Sequence, residues 1–447
     1  MSFPKDFIWG AASAAYQIEG AVGEDGRGKT VWDVFSHTPG KTFEGHTGDI
    51  ACDSYHRFED DLAALLTLGV KHYRFGISWA RIFPDGRTLN EQGFVYYDKV
   101  VELLLQNGIT PWITLFHWDT PQALEETGGW QSRETATLLA QFAGVVAAHF
   151  RGRVSHYFTL NEPQCFIGLG YEAGWHAPGK TLSGEPLLAC WHNAMLAHGM
   201  MVQAVRKADP SAQIGLASCG LGCIPESGSE ADIEAARTAM FSFGMHPEFS
   251  LFSQNAFLDP ALLGHYPVHP FFDSPLITAE DLALIHQPID FIGLNFYNAY
   301  IVRAGKSGPE HVPFHRGYPR TAIRWPITPA MMFYCTKFIY ERYQLPVYIT
   351  ENGLSCNDKR YLDGKVHDLD RIDFLQRYLR EYKRAGESGV DIRGYFHWSL
   401  TDNFEWSNGY EERFGLFYVD YETLERHPKD SALWYRSVVE SNGEYLS

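Results

Sequence analysis

Eight short apolar or β-branched runs recur along the chain, separated by longer stretches whose apolar residues fall at helical spacing. The runs are FIWGAASAA, VKHYRFGIS, ITPWITLF, VSHYFTL, AQIGLAS, IDFIGLNFY, PVYIT and DIRGYFHW. A strand buried on both faces reads as a continuous hydrophobic run, because helices cover each side of a parallel sheet. The intervening stretches, such as DDLAALLTLG, YYDKVVELLLQNG and RIDFLQRYLREYKRAGESG, each stop near a glycine before the next run begins. From Arg133 to Gly152, the residues Leu138, Leu139, Phe142, Val145, Val146 and Phe150 recur at helical intervals.

Eight such units predict an α/β fold, a (β/α)8 TIM barrel occupying 1–447 as one domain. The structural alternative, an open doubly wound sheet, would need fewer strands and a glycine-rich phosphate turn after the first. Neither is found. The Gly, Pro and Ser-rich stretches from Pro225 to Glu230 and from Arg303 to Pro319 fall between units and read as loops.

Composition removes several function classes. With 54 acidic against 37 basic residues the net charge is −17, and no basic block is present to neutralise phosphates, so nucleic acid is not an expected partner. The stretch MSFPKDFIWGAASAAYQIEG has no basic leader, and its apolar part is broken by Gly10, Ser13 and Gln17, so neither a signal peptide nor a membrane anchor is expected. Seven scattered cysteines suit buried thiols in a reducing compartment, and a cytoplasmic location is expected. The chain also carries 12 Trp, 24 Tyr and 30 Phe, enough for some rings to line a site as well as a core.

In a barrel of this kind, functional groups gather at the carboxyl ends of the strands, where the loops surround one cavity. Seven of the eight runs here end in, or are followed by, polar or aromatic residues: Gln17, Arg74, His117, Asn161 with Glu162, Asn295 with Tyr297, Glu351 with Asn352, and Trp398. Each alone has an ordinary explanation as a helix cap or a core residue. Together they do not, because capping has no use for Arg, His or Trp. Within that ring Glu162 and Glu351 are the carboxylates that directly follow their strands, the fourth and the seventh. Paired carboxylates across a barrel mouth suit glycoside hydrolysis, in which one stays protonated to donate to the leaving oxygen while the other stays ionised. Arg74, the one cation at a strand end, is placed to hold one of them ionised, but spacing leaves open which. Glu405 and Trp406, beyond the eighth strand, and Trp398 offer a carboxylate for sugar hydroxyls and flat faces for its C–H side.

These segments resemble glycoside hydrolase family one, the retaining β-glucosidases. The resemblance runs from FIWGAASAAYQIEG through RFGISWARIFP, TLFHWDTPQAL, TLNEP, GYEAGWHAPG, FIGLNFY, YITENG and HWSLTDNFEWSNGY to RHPKDSALWY, nearly the whole chain. It implies that Glu162 is the acid and base and Glu351 the nucleophile, supported by Arg74, Tyr297 and Asn295. It implies further that Asn161 lies near the sugar 2-hydroxyl, and that Gln17, His117, Trp398, Glu405 and Trp406 hold the terminal sugar. Trp325 would stack on the next unit, and Phe414 would join the substrate-binding groups. The implied substrate is a β-glucoside, split through a covalent intermediate with the carboxyls about 5–5.5 Å apart. No cofactor and no metal ligand set is implied. Two residues depart from the family pattern: Gln164 replaces the usual tryptophan after NEP, and Pro326 follows Trp325 where an acidic residue is common. Both are expected to line the outer part of the cleft, where the leaving group sits.

Alternatives fare less well. A carboxylate at Glu405 would repel the phosphate of a 6-phospho-sugar. Thioglucosidases lack the acid that Glu162 supplies, and sugar-binding barrels without activity usually lose a catalytic glutamate. A metalloenzyme would need more than His265 with His269 about a proline, or Cys219 with Cys223, and no HExxH is present. GLGCIP after the fifth run lacks the third glycine of a dinucleotide turn.

Overall fold

The computed structural model describes residues 3–246 and 249–446. Eight parallel strands close into a barrel: β1 (Ile8–Ala12), β2 (His72–Gly76), β3 (Thr110–Phe116), β4 (His156–Asn161), β5 (Gln213–Ser218), β6 (Phe291–Asn295), β7 (Val347–Asn352) and β8 (Ile392–Trp398). Closure comes from β1, which pairs with β2 through Ala12 and Arg74 and with β8 through Ala12 and Trp398. Each of the eight predicted runs overlaps one of these strands, β4 continuing one residue past its run to Asn161 and β7 two past its run to Asn352, so the α/β barrel expected from the sequence is the fold observed.

Helices Ser54–Leu68, Phe94–Gln106, Arg133–Phe150, Gly184–Ala208, Met331–Tyr343 and Leu369–Glu387 lie between the strands. In Arg133–Phe150, Ser132 accepts the Glu134 N–H at the start, and Leu139, Phe142, Val146 and Phe150 are buried. Leu138 and Val145 sit at the edge of that face and are half-buried. Among the described residues, no helix is long and apolar enough to cross a membrane.

The barrel interior is packed with rings below the mouth. Trp112 of β3 is fully buried, stacks on His156 at 3.8 Å, and meets Phe396 at 5.2 Å, Tyr348 at 5.3 Å and Phe291 at 5.7 Å. Two glycines make room for this plug. A Cβ at Gly215 would come within 2.2 Å of the Phe291 ring, and one at Gly10 within 2.5 Å of the Phe396 ring. The strand backbones therefore approach rings that any side chain would displace.

The stretches read as loops are partly ordered. Cys223–Pro225, Tyr300–Gly305 and Gly308–Val312 form a small three-stranded sheet, the last two being an antiparallel hairpin that begins before Arg303 and runs into the stretch expected to be irregular. A further two-stranded ladder joins Phe417–Val419 to Arg426–Pro428.

Gly215→Ala is expected to destabilise the protein by about 1–3 kcal/mol through overpacking against Phe291. Urea unfolding of the two proteins side by side checks it, and an unchanged midpoint would mean that the plug can shift freely.

Candidate active site

The carboxyl ends of the strands meet at one mouth, and a buried guanidinium organises it. Arg74 of β2 is fully buried. A guanidinium out of water must spend its N–H groups on protein acceptors. Its Nε donates to Thr114 Oγ1 of β3 at 3.0 Å and its Nη2 to Asn161 Oδ1 of β4 at 2.6 Å. Its Nη1 donates to the Thr350 carbonyl at 3.0 Å and to Glu351 Oε1 at 2.7 Å, both on β7. The other Glu351 oxygen, Oε2, accepts the Tyr297 hydroxyl at 2.9 Å. Below, the guanidinium carbon lies 4.8 Å from the centre of the Phe158 ring.

Glu162 follows β4 in the left-handed region, with φ +50°. Its carbonyl accepts the Cys165 N–H at 2.8 Å, so the main chain starts the π-type helix Gln164–Glu172 and the carboxyl is not used as a cap. Instead Glu162 Oε1 accepts from Asn295 Nδ2 at 2.6 Å. That amide is itself oriented, because Asn295 Oδ1 accepts from Thr350 Oγ1 at 2.6 Å while Nδ2 also reaches Asn161 Oδ1 at 3.0 Å. Asn295 and Glu351 are register partners on β6 and β7, which brings the two carboxyls into one network through Asn161 and Asn295.

The network treats the two carboxyls differently. Burial raises both above the ordinary carboxylate range; Arg74 lowers Glu351, the Glu162 charge raises it, and the Tyr297 hydroxyl lowers it again. Glu162 is drawn down after burial by neutral donors, first Asn295 and then Cys165, and more weakly by Arg74. Two carboxyls in one buried network lose their protons as a pair, the first ionisation opposing the second. The guanidinium touches Glu351 at 2.7 Å while Glu162 meets the neutral amide of Asn295 at 2.6 Å, so the two carboxyls sit in unlike electrostatic surroundings.

A second group of polar residues lies where β1, β3 and β8 end. Gln17 Nε2 donates to Asn403 Oδ1 at 3.0 Å, to the Phe404 carbonyl at 2.9 Å and to Glu405 Oε2 at 3.2 Å. Burial first, then the charges of Glu351 and Glu412, push the Glu405 carboxyl up to about 8. Burial and the Arg74 charge push His117 far below the usual imidazole range, so it is neutral. Its Nε2 accepts from Asn161 Nδ2 at 3.1 Å, which assigns the proton to Nδ1. That Nδ1 and Gln17 Oε1 are buried without a hydrogen-bond partner among the described residues.

The rings beside them form a wall. His117 stacks near Trp398 and Trp406 at 5.9 Å each, and Trp406 packs on Trp118 at 4.4 Å and Trp32 at 4.6 Å. On the Glu351 side, the Tyr297 ring lies 5.2 Å from Trp325 and 6.1 Å from Phe414, and Trp325 and Phe414 are 6.0 Å apart. These contacts join Gln17, Arg74, His117, Asn161, Glu162, Asn295, Tyr297, Trp325, Glu351, Trp398, Glu405, Trp406 and Phe414 around one mouth.

Gln164 does not take the place expected of it. It is fully buried, its Nε2 donates to Ser218 Oγ at 3.0 Å, and Ser218 Oγ donates to Gln254 Oε1 at 2.9 Å. Its amide is held toward β5, with Oε1 3.9 Å from Cys219 Sγ, rather than standing free toward the outer cleft. The reason is local: Gln164 opens the π-type helix and that turn directs it toward β5.

Sequence reasoning also missed residues that fix the mouth. Asp402 accepts from Lys429 Nζ at 2.6 Å, from the Gly415 N–H at 3.0 Å and from Arg413 Nη1 at 2.7 Å, which anchors the segment carrying Glu405 and Trp406. Lys429 is fully buried and reaches Asp358 at 2.6 Å as well. Trp118 donates from Nε1 to the Asn161 carbonyl at 2.8 Å. TDN and RHPKD were visible as motifs, but their partnership across 27 positions was not.

Comparison with known proteins accords with this geometry. The family model described as glycosyl hydrolase family 1 matches residues 1–444. Beta-glucosidase A of Thermotoga maritima is 42% identical over 448 residues, covering 99% of this chain and 98% of that protein. A bifunctional beta-D-glucosidase/beta-D-fucosidase of Bifidobacterium breve is 44% identical over 473 residues, covering 98% of each. Among solved structures, the beta-glucosidase from Thermotoga maritima in complex with glucoimidazole superposes with a TM-score of 0.90 at 40% identity, covering 99% of both chains.

Replacing Lys429 with Met would leave Asp402 and Asp358 short of a buried cation. Breaking such a pair costs about 3–5 kcal/mol, so Lys429→Met is expected to melt well below the parent protein; equal melting temperatures would show that the anchor is dispensable.

Proposed function

This chain belongs to glycosyl hydrolase family 1, and from that premise we propose that it is a β-glucosidase releasing terminal non-reducing β-D-glucosyl residues, with net retention, from oligosaccharides and aryl or alkyl β-glucosides. That it is a glycoside hydrolase follows from the family; the substrate, the stereochemistry and the residue roles are the proposal. The observation that carries it is the asymmetry of the carboxyl pair: Glu351 is held by Arg74 at 2.7 Å, while Glu162 is held by the neutral amide of Asn295 at 2.6 Å.

In the first step ionised Glu351 attacks the anomeric carbon, the bond to the leaving oxygen breaks, and Glu162 gives that oxygen its proton. In the second, Glu162 takes a proton from water as the water oxygen attacks the same carbon and Glu351 departs. Two inversions at one carbon give retention. Arg74 and Tyr297 keep Glu351 oriented by binding one oxygen each. Asn161 has one amide N–H beyond the one shared with His117, which would meet the sugar 2-hydroxyl, where contacts strengthen in the transition state.

The terminal sugar is assigned to the β1, β3 and β8 side. His117 Nδ1–H and Gln17 Oε1 are a buried donor and a buried acceptor without partners among the described residues, which costs about 1–3 kcal/mol for each group unless a ligand supplies the bond. Sugar hydroxyls supply both. Glu405 would reach the 4- and 6-hydroxyls, with Trp398 and Trp406 beneath the ring, while Trp325 and Phe414 lie toward the leaving group.

Broader β-glycosidase activity, including β-fucosides and β-galactosides, is a second reading favoured by the 44% identical Bifidobacterium breve relative named for two activities. A panel of aryl glycosides with cellobiose ranks these by kcat/KM. The seven free thiols support a reducing compartment, in keeping with a cytoplasmic location.

Glu351→Gly is expected to lose hydrolysis, and added azide is expected to restore turnover of an activated aryl glucoside as the α-glucosyl azide; no azide product would remove Glu351 from the nucleophile role. In Arg74→Met the cation that lowers Glu351 is gone, so the carboxyl holds its proton to higher pH. The acidic limb of kcat/KM should therefore move upward in pH, and a limb that stays in place would separate Arg74 from Glu351 ionisation.

A further inference from the structure

We propose that Glu162, Cys165 and Cys219 form a binding site for a thiophilic divalent cation such as Zn2+ or Cd2+, and that its occupancy takes the Glu162 carboxyl from the substrate and inhibits the enzyme. One ligand atom from each of the three residues lies within 4.8 Å of the others, and no other such group of His, Cys, Asp or Glu occurs among the described residues.

The spacing of the sulfurs is the main argument. Cys165 Sγ and Cys219 Sγ are 3.6 Å apart. Two thiolates on a tetrahedral Zn2+ with bonds of about 2.3 Å sit roughly 3.7–3.8 Å apart, so the pair has the bite of a metal site as it stands. A disulfide would require the sulfurs to close to about 2.05 Å.

The scaffold also holds the donors from separate elements. Glu162 and Cys165 flank the first turn of the π-type helix, where the Glu162 carbonyl accepts the Cys165 N–H at 2.8 Å. Cys219 directly follows β5. Behind it, Gln164 is clamped by Ser218, Ser218 by Gln254, and Gln254 by the Gly220 carbonyl at 2.6 Å, which leaves Gln164 Oε1 3.9 Å from Cys219 Sγ. Cys219 is partly exposed, giving a cation a route in. The donor set, two sulfurs and a carboxylate with a fourth position open, suits a soft or borderline cation rather than Mg2+ or Ca2+. Binding releases both thiol protons to solvent, with the Glu162 proton when it carries one, and no electron is transferred.

The site itself stands on these three side chains; the inhibition rests on the reading of Glu162 as the proton donor. The test separates the two. Cd2+ is titrated into the full chain, kept reduced with a phosphine, while ultraviolet thiolate-to-cadmium absorption and aryl glucoside hydrolysis are followed in parallel. The expected result is one cation per chain, a two-thiolate band, and a loss of activity of roughly tenfold or more that chelator reverses. Cys165→Ser and Cys219→Ser should each weaken the band's binding curve roughly tenfold or more, with Cys356→Ser leaving it in place. A band that persists in both serine variants, or no band at all, overturns the site. A band that follows the two cysteines while hydrolysis continues at saturation supports the site and overturns the inhibition. Should the serine variants fail to fold, differential alkylation of the parent protein decides: Cd2+ must protect Cys165 and Cys219 and not Cys356, and no protection overturns the proposal.

Discussion

The contact between Arg74 and Glu351 is the constraint on which the rest of the mouth depends. A guanidinium wholly withdrawn from water is tolerable only with its N–H groups spent on fixed acceptors, and here those acceptors come from β3, β4 and β7. Satisfying the cation therefore fixes the relative positions of three strand ends. It also fixes Asn161, whose Oδ1 receives Arg74, and through Asn161 the amide of Asn295 and the carboxyl of Glu162. One buried charge sets both the shape of the site and the unequal electrostatics of its two carboxyls.

Around this centre the barrel divides its labour. The ring plug about Trp112 fills the interior beneath and keeps water from the underside of the guanidinium. Above, the segment after β8 carries Glu405 and Trp406, and a second buried ion cluster anchors it through Asp402, Lys429 and Arg413. A charged cluster adds little net stability compared with an apolar one, but it confines a loop to one position. That is the property a sugar pocket needs, since hydroxyls are distinguished by the placement of a few polar atoms.

Legibility in the sequence followed burial and locality. The barrel was readable because strands covered on both faces are continuous apolar runs, and Arg74, Glu162 and Glu351 stood out as polar ends to such runs. The hairpin Tyr300–Gly305 with Gly308–Val312 was not, because Val302 alone of its residues is buried and Arg303 and Glu310 carry no strand signal. Which carboxylate Arg74 prefers was undecidable from spacing and became plain only from the 2.7 Å contact. Gln164 was misplaced because family pattern says which side chain stands at a position, while the turn that opens the π-type helix says where it points. Cys165 with Cys219, 54 positions apart, has no spacing signal at all.

The central claim is that the asymmetric pair makes Glu351 the attacking group and Glu162 the proton donor, so that the sugar leaves with the configuration it brought. Following the anomers released from an aryl β-glucoside by proton NMR, within the first turnovers and before mutarotation, tests this most directly. β-Glucose appearing first is the predicted result. α-Glucose appearing first would mean a single inversion by water, and would contradict the covalent role of Glu351.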